Sequence, residues 1–343
     1  MDTEEQEYDR SLTTHVAPLS ANDHVIAAAF LNGQPVLALA EGEIFLCAED
    51  RRVRAHADAT ILVAGANRER IVTGADDGRI VETRAGGDTR EIGDENGKWI
   101  DAIALRDDGA TAWSAGKTVR ARDAKGEVKS FEAPSSVRGL AFMPKGYRLA
   151  LARYNGATLW FPNIAGKPDE LTWAGSHLDI TTSRDGAFIV TSMQENALHG
   201  WRVADKKDMR MTGYPTKTRS FSWSADGKWL ATSGADACVV WPFQSKDGPM
   251  GQAPRECGVR APKVTRVAFH PNSEVIAMGY DDGWILMCRI EDGAELLVRQ
   301  RDDDGQGGRI RPAISALCWD GDGKRLLFGA ENGEAGLLTL PVG

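Results

Sequence analysis

No stretch of this 343-residue chain approaches the roughly 18 consecutive apolar residues that a helix needs to cross a bilayer. The first ten residues, MDTEEQEYDR, are acidic where a secretory leader would be basic and then apolar. We therefore expect a soluble protein that stays where it is made, in the cytoplasm, with no membrane partner. Cysteine is scarce. Cys47, Cys238, Cys257, Cys288 and Cys318 are odd in number and widely scattered, in a chain too large to need disulfide staples, so reduced thiols are expected. Positive charge is not in excess either, since 41 Lys and Arg face 49 Asp and Glu for a net charge of −8. Nucleic-acid binding calls for a concentrated basic surface and is not expected here.

Chemical motifs are equally sparse. The six histidines and five cysteines show no CxxC, HxxxH or HExxH spacing, so no metal site is expected. Neither GxxxxGK[ST] nor GxSxG occurs, which removes the commonest nucleotide cradle and nucleophile turn, and no cofactor is expected. The segment RDDDGQGGRIRP from Arg301 has three aspartates beside glycines, but it lacks the alternating ligands and terminal Glu of a calcium loop and reads as a solvated turn. Apolar residues at helical spacing are hard to find anywhere.

What the chain does have is a repeat. Residues 221–243, FSWSADGKWLATSGADACVVWPF, hold three short apolar runs separated by two turns. Close counterparts are LAFMPKGYRLALARYNGATLWFP (140–162) and VAFHPNSEVIAMGYDDGWILMCRI (267–290), and fainter ones begin at Ile103, Ile180 and Ala316, with two worn copies at Ala28 and Val63. The last residue of each first run numbers the units one to eight: Phe30, Gly65, Leu105, Phe142, Ser183, Trp223, Phe269 and Trp319. These lie roughly 35 to 50 residues apart, a spacing that suits a four-stranded propeller blade. The second runs are apolar at nearly every position, as for strands covered on both faces, while a variable, polar fourth run suits an outer edge.

The fold so predicted is all-β: a single closed β-propeller of four-stranded blades over residues 11–343, preceded by a disordered acidic segment, 1–10. Eight blades are expected, with seven as the alternative. After AGLLTL only Pro341, Val342 and Gly343 remain, too few for a fourth strand in unit eight, whereas SLTTHVAP (Ser11 to Pro18) is an unused strand candidate ahead of unit one. An N-terminal strand closing the last blade would remove an exposed sheet edge. Trp241 is read as packing between neighbouring blades.

The pattern SGADACVVW, with first strands such as VTRVAFHPN and TRSFSWSADG, resembles the WD40 repeat family over nearly the whole chain from about Ser11. Two features depart from that family. The Gly-His pair ahead of the first strand is missing from every unit, and the closing Trp-Asp is reduced to Trp160, Trp201 and Trp241 without the Asp, so blades held mainly by apolar packing are expected. The resemblance implies a non-catalytic scaffold, a monomer outside a complex, that binds a protein partner on its top face. A propeller enzyme with a small-molecule site in the central channel is the alternative, although neither the Ser-x-Asp-x-Gly-x-Thr-Trp boxes of sialidase-like propellers nor the Trp docking repeats of quinone dehydrogenases are present. In the family, the residue after the apolar start of the first strand lies near the channel mouth. Carried over, that position is Ile26, Ile61, Asp101, Arg138, Asp179, Arg219, Thr265 and Ser315. The residue after the second strand adds Arg153, Gln194 and Tyr280. The partner-binding candidates are thus Asp101, Arg138, Arg153, Asp179, Gln194, Arg219 and Tyr280. Asp101, Arg138, Asp179 and Arg219 could equally pair with one another between blades, and the sequence leaves that choice open.

Overall fold

The computed structural model describes residues 11–300 and 312–341; the acidic segment 1–10, expected to be disordered, and the aspartate-rich segment from Arg301, expected to be a solvated turn, lie outside them. The described residues form thirty β-strands, with two 3-10 turns at Thr13–His15 and Cys47–Glu49. Strand pairing is antiparallel and follows the repeat. Even the worn copies are complete: unit one is a sheet of Val25–Leu31, Gln34–Leu39, Glu43–Leu46 and Arg51–Arg54, and unit two is a sheet of Ile61–Ala66, Arg70–Ala75, Arg79–Arg84 and Thr89–Asp94.

The described residues form seven hydrogen-bonded sheets, six of four strands and one of six, so the blades number seven, the alternative, and not the eight that the repeat predicts. Units four and five run together, which is why the count falls by one. Strand Leu149–Trp160 pairs with Val137–Phe142 through its first half and with Asp169–Thr172 through its second, breaking register between Tyr154 and Gly156, where Asn155 (φ 63°) and Gly156 (φ 132°) are left-handed. Strand Asp169–Thr182 likewise serves unit four first and then pairs with unit five through His177–Thr182.

Burial follows from position in the sheet. The second strands Arg70–Ala75 and Phe188–Met193 are buried at every residue, whereas the outer strand Thr89–Asp94 has no buried residue. Between the first and second strands, a Ser-x-Asp-Gly turn secures the chain locally. Ser224 Oγ donates to Asp226 Oδ1 (2.7 Å) and accepts the Trp229 N–H (3.0 Å), and Ser183, Asp185 and Phe188 repeat the arrangement in unit five. On that same face arginines clasp the next unit: Arg70 donates to Gly109 O, Arg106 to Gly146 O, Arg184 to the Ser224 carbonyl, and Arg325 to Gly33 O.

Neighbouring units also interlock by shape. An added Cβ on Gly74, Gly279 or Gly329 would lie 2.4 to 2.5 Å from Ile100, Ile314 or Val25 respectively, the buried residues that start the next unit. Trp241 is buried in a core made by units five and six, with Phe188, Leu198 and Met209 on one side and Leu230 on the other.

The ring closes between units eight and one. Val16–Ser20 pairs antiparallel with Glu334–Thr339, from Val16↔Leu338 to Ser20↔Glu334, and so supplies the fourth strand of unit eight. Ser315 Oγ donates to Val25 O (2.6 Å) across the same junction. The closing strand begins at Val16 rather than Ser11, because Thr13–His15 turns and Ser11 instead bridges Leu297 of unit seven.

Candidate partner-binding face

The top face carries the starts of the first strands. In six units a buried anchor there is followed by a β-bulge, a one-residue insertion that re-aims a side chain. The register shifts fall between Val25 and Ala27, Ile61 and Val63, Val137 and Gly139, His177 and Asp179, Val264 and Arg266, and Ile314 and Ala316. The bulged residues are therefore Ile26, Leu62, Arg138, Leu178, Thr265 and Ser315. Asp101, whose N–H donates to Ser114 O (2.8 Å), and Arg219, whose N–H donates to Ser233 Oγ (3.1 Å), start the remaining two units.

Two positions thus differ from the sequence assignment. In unit two Ile61 is the fully buried anchor and Leu62 is the bulge. In unit five the anchor is His177, which is buried through polar contacts: its Nδ1 pairs with Thr191 Oγ1 (2.7 Å) and its Nε2 donates to Trp173 O (3.1 Å). Asp179 therefore sits one residue past the bulge, at the position equivalent to Arg266 of unit seven.

Of the expected ring of alternating charges, one pair forms. Asp101 Oδ1 accepts from Arg138 Nη1 (2.7 Å), while its Oδ2 holds the Gly116 N–H (2.7 Å). The Arg138 side chain remains 60% exposed beside an aspartate only 14% exposed. Asp179 and Arg219 do not join this pair; Arg219 is exposed and has no ion-pair partner among the described residues. Asp179 is accessible to water yet hemmed in by protein, and this crowding raises its carboxyl above the usual range, with Arg266 opposing the shift. Arg266 is pushed the other way, below the usual guanidinium value, by burial and by Arg219.

Two candidates cannot reach a partner. Arg153 is buried, and its guanidinium donates to Thr158 Oγ1 (2.8 Å), Tyr154 O (2.8 Å) and Glu170. Tyr280 is fully buried, with its hydroxyl donating to Gly258 O. Gln194 is exposed and its backbone N–H donates to Ser176 O (2.9 Å).

Beside Arg219 lies a cleft of about 700 Å³ between units six, seven and eight, lined by Lys217, Arg219, Lys263, Thr265, Asp281 and Glu331 among others. Lys217, Lys263 and Arg266 were not among the residues singled out by sequence. Arg266 was within reach, since the bulge rule carried one residue further finds both it and Asp179. The lysines carry no repeat signal, because they lie in connections of differing length.

Below this face, hydroxyl relays stand in for the missing Gly-His pairs. In unit six Trp241 Nε1 donates to Tyr214 Oη (2.6 Å), which pairs with Thr232 Oγ1 (2.7 Å), which donates to Val239 O (2.9 Å). His56 and Thr73 do the same in unit two, and His177 and Thr191 in unit five. Apolar packing is thus supplemented by buried polar chains that the sequence reading did not expect.

The repeat and the four-stranded sheets agree with comparisons to known proteins. Residues 208–241 match the family described as WD domain, G-beta repeat, and residues 267–342 match the Anaphase-promoting complex subunit 4 WD40 domain. Over these two stretches, about a third of its length, the chain is similar to WD40 repeats. Among curated relatives, a subunit of Chromatin assembly factor 1 from Gallus gallus is 32% identical over 130 residues, a match covering 32% of this chain and 22% of that protein. The matched stretch thus spans about a fifth of that relative's length. Among solved structures, the computationally designed Ika8 protein superposes with a TM-score of 0.74 at 18% identity, over 94% of this chain and 98% of that one. At that identity the likeness speaks for the fold alone.

Proposed function

We propose that this chain is a non-catalytic WD40-type interaction scaffold that binds a protein partner on its top face through Asp101, Arg138, Gln194 and Arg219. The reading rests chiefly on Arg138, a largely exposed guanidinium held in place by an aspartate that is itself fixed by a backbone N–H. Arginine brings large contact area and several directed donors to an interface, and a side chain already ordered loses less entropy on binding. The WD40 relatives named above are, by their names, subunits of an anaphase-promoting complex and a chromatin assembly factor, which supports a partner-binding role. The five cysteines are all free, in keeping with a cytoplasmic setting.

Arg138→Ala and Arg219→Ala are each expected to weaken a co-purifying protein partner by ~2 kcal/mol or more, measured by surface plasmon resonance, with the melting temperature unchanged. Alanine at Lys206 and Lys207, which lie in the turn between the third and fourth strands of unit five and pair with Asp169 and Asp247, serves as the control and should do little. Loss of binding by the control but not by the arginine variants would refute the top-face assignment.

A further inference from the structure

We propose that the cleft between units six, seven and eight takes an acidic segment of the protein partner. This deepens the scaffold reading and rests on it. The chain carries a net charge of −8, and many of its cations are neutralised in place, among them Arg70 with Glu82, Arg120 with Glu95, Arg202 with Asp247 and Arg260 with Glu295. Lys217, Arg219 and Lys263 converge on this cleft, and none has an ion-pair partner among the described residues. Behind them Arg266 is fixed by the Ser315 carbonyl (2.6 Å) and the Thr265 carbonyl (3.0 Å), neither of which neutralises its charge. Burial and the neighbouring Arg219 disfavour its charged state, so an anion arriving nearby would relieve that cost.

The acids in the cleft set what kind of anion fits. Asp281 is engaged, its Oδ1 accepting the Lys263 N–H (3.1 Å), and Glu331 lines the cleft from unit eight, where its charge acts on Arg266. A nucleic-acid strand brings closely spaced phosphates that both carboxylates would repel. One or two carboxylate side chains suffice to pair with Lys217, Arg219 and Lys263, the unpaired cations of the lining. Complementary charge of this kind chiefly sets association rate and selectivity.

The test is fluorescence anisotropy of the full chain at low ionic strength with labelled hexaglutamate, hexalysine and oligothymidine. Hexaglutamate should bind, weaken as salt is raised, and lose at least tenfold in affinity to the double variant K217E/K263E but not to K206E/K207E at the rim. Absence of hexaglutamate binding, indifference to K217E/K263E, or tighter binding of oligothymidine or hexalysine would each overturn the proposal. The scaffold reading is judged separately by partner retention. If Arg138→Ala still releases a protein partner while hexaglutamate fails to bind, the cleft assignment alone is lost.

Discussion

Three histidines are buried where an imidazolium would be costly. Burial lowers the proton affinity of His56, His177 and His199, and for His199 the value falls from 6.5 to about 3. His199 is fully buried and stacked on Trp173 with ring centroids 4.0 Å apart, and its nearest carboxylate, on Asp208, lies 3.6 Å away, beyond hydrogen-bond reach. Below about pH 6.5 the unfolded chain therefore takes up protons that the native fold refuses, so stability falls as the pH drops towards the folded values. Each such histidine contributes a slope of up to ~1.4 kcal/mol per pH unit. Glu82 adds a second loss at lower pH: burial alone would raise its carboxyl, but Arg70, Arg90 and Arg84 outweigh burial and hold it below the usual range. Urea midpoints should fall between pH 7 and pH 5, before the carboxylates titrate. His199→Phe keeps a ring against Trp173 and should flatten that fall. Equal midpoints at pH 7 and pH 5 in the unmodified protein would contradict the assignment.

The strands were legible at the scale of elements because burial on both faces demands an apolar run, and each run ends at turn residues whose backbone geometry the sequence announces. Side-chain direction was less legible. A histidine can be an anchor when Thr191 and the Trp173 carbonyl satisfy it, and reading it as polar displaced Asp179 by one position. The sequence reading set Arg153 and Tyr280 just past their second strands, whereas Arg153 lies within Leu149–Trp160 and Tyr280 is the last residue of Val275–Tyr280, and their polar ends fold back onto Thr158 and Gly258. The merging of units four and five depends on how a long strand pairs across a turn, which composition does not record. The glycines against the next unit's anchor carry a measurable consequence. Gly329→Ala would drive a Cβ into Val25, with Cγ1 at 2.5 Å and Cβ at 2.6 Å, and Val25 is fully buried. Overpacking at this junction should lower stability by ~1–3 kcal/mol in chemical denaturation. A Gly33→Ala variant is the contrasting case, because Gly33 has φ +80° but only Arg325 within 4 Å, so any loss there reflects the backbone rather than the junction.

For the whole molecule, closure joins the two ends of the described chain. Val16–Ser20 covers the edge of unit eight with five register pairs, and Leu12, Val16 and Leu338 share one core with residues of unit seven such as Ile285 and Val298. The groove beside this strand is lined by Val16 and Leu19 of the closing strand, Val298 of unit seven and Phe328 of unit eight, among others. Sequence pointed to such a strand because unit eight lacked its own fourth run, although the pairing residues begin five positions later than the first of the proposed segment. Removing residues 1–9 takes away none of these contacts and should leave the melting temperature unchanged. Removing residues 1–20 strips the fourth strand, bares the row of N–H and C=O groups on Glu334–Thr339, and uncovers Leu338 and Phe328. At ~1.5–3 kcal/mol for each large apolar side chain returned to water, the loss should reach several kcal/mol, with aggregation through the open edge. Thermal melts and light scattering on the two truncated proteins separate the outcomes, and identical behaviour would refute closure of the ring by the N-terminal strand.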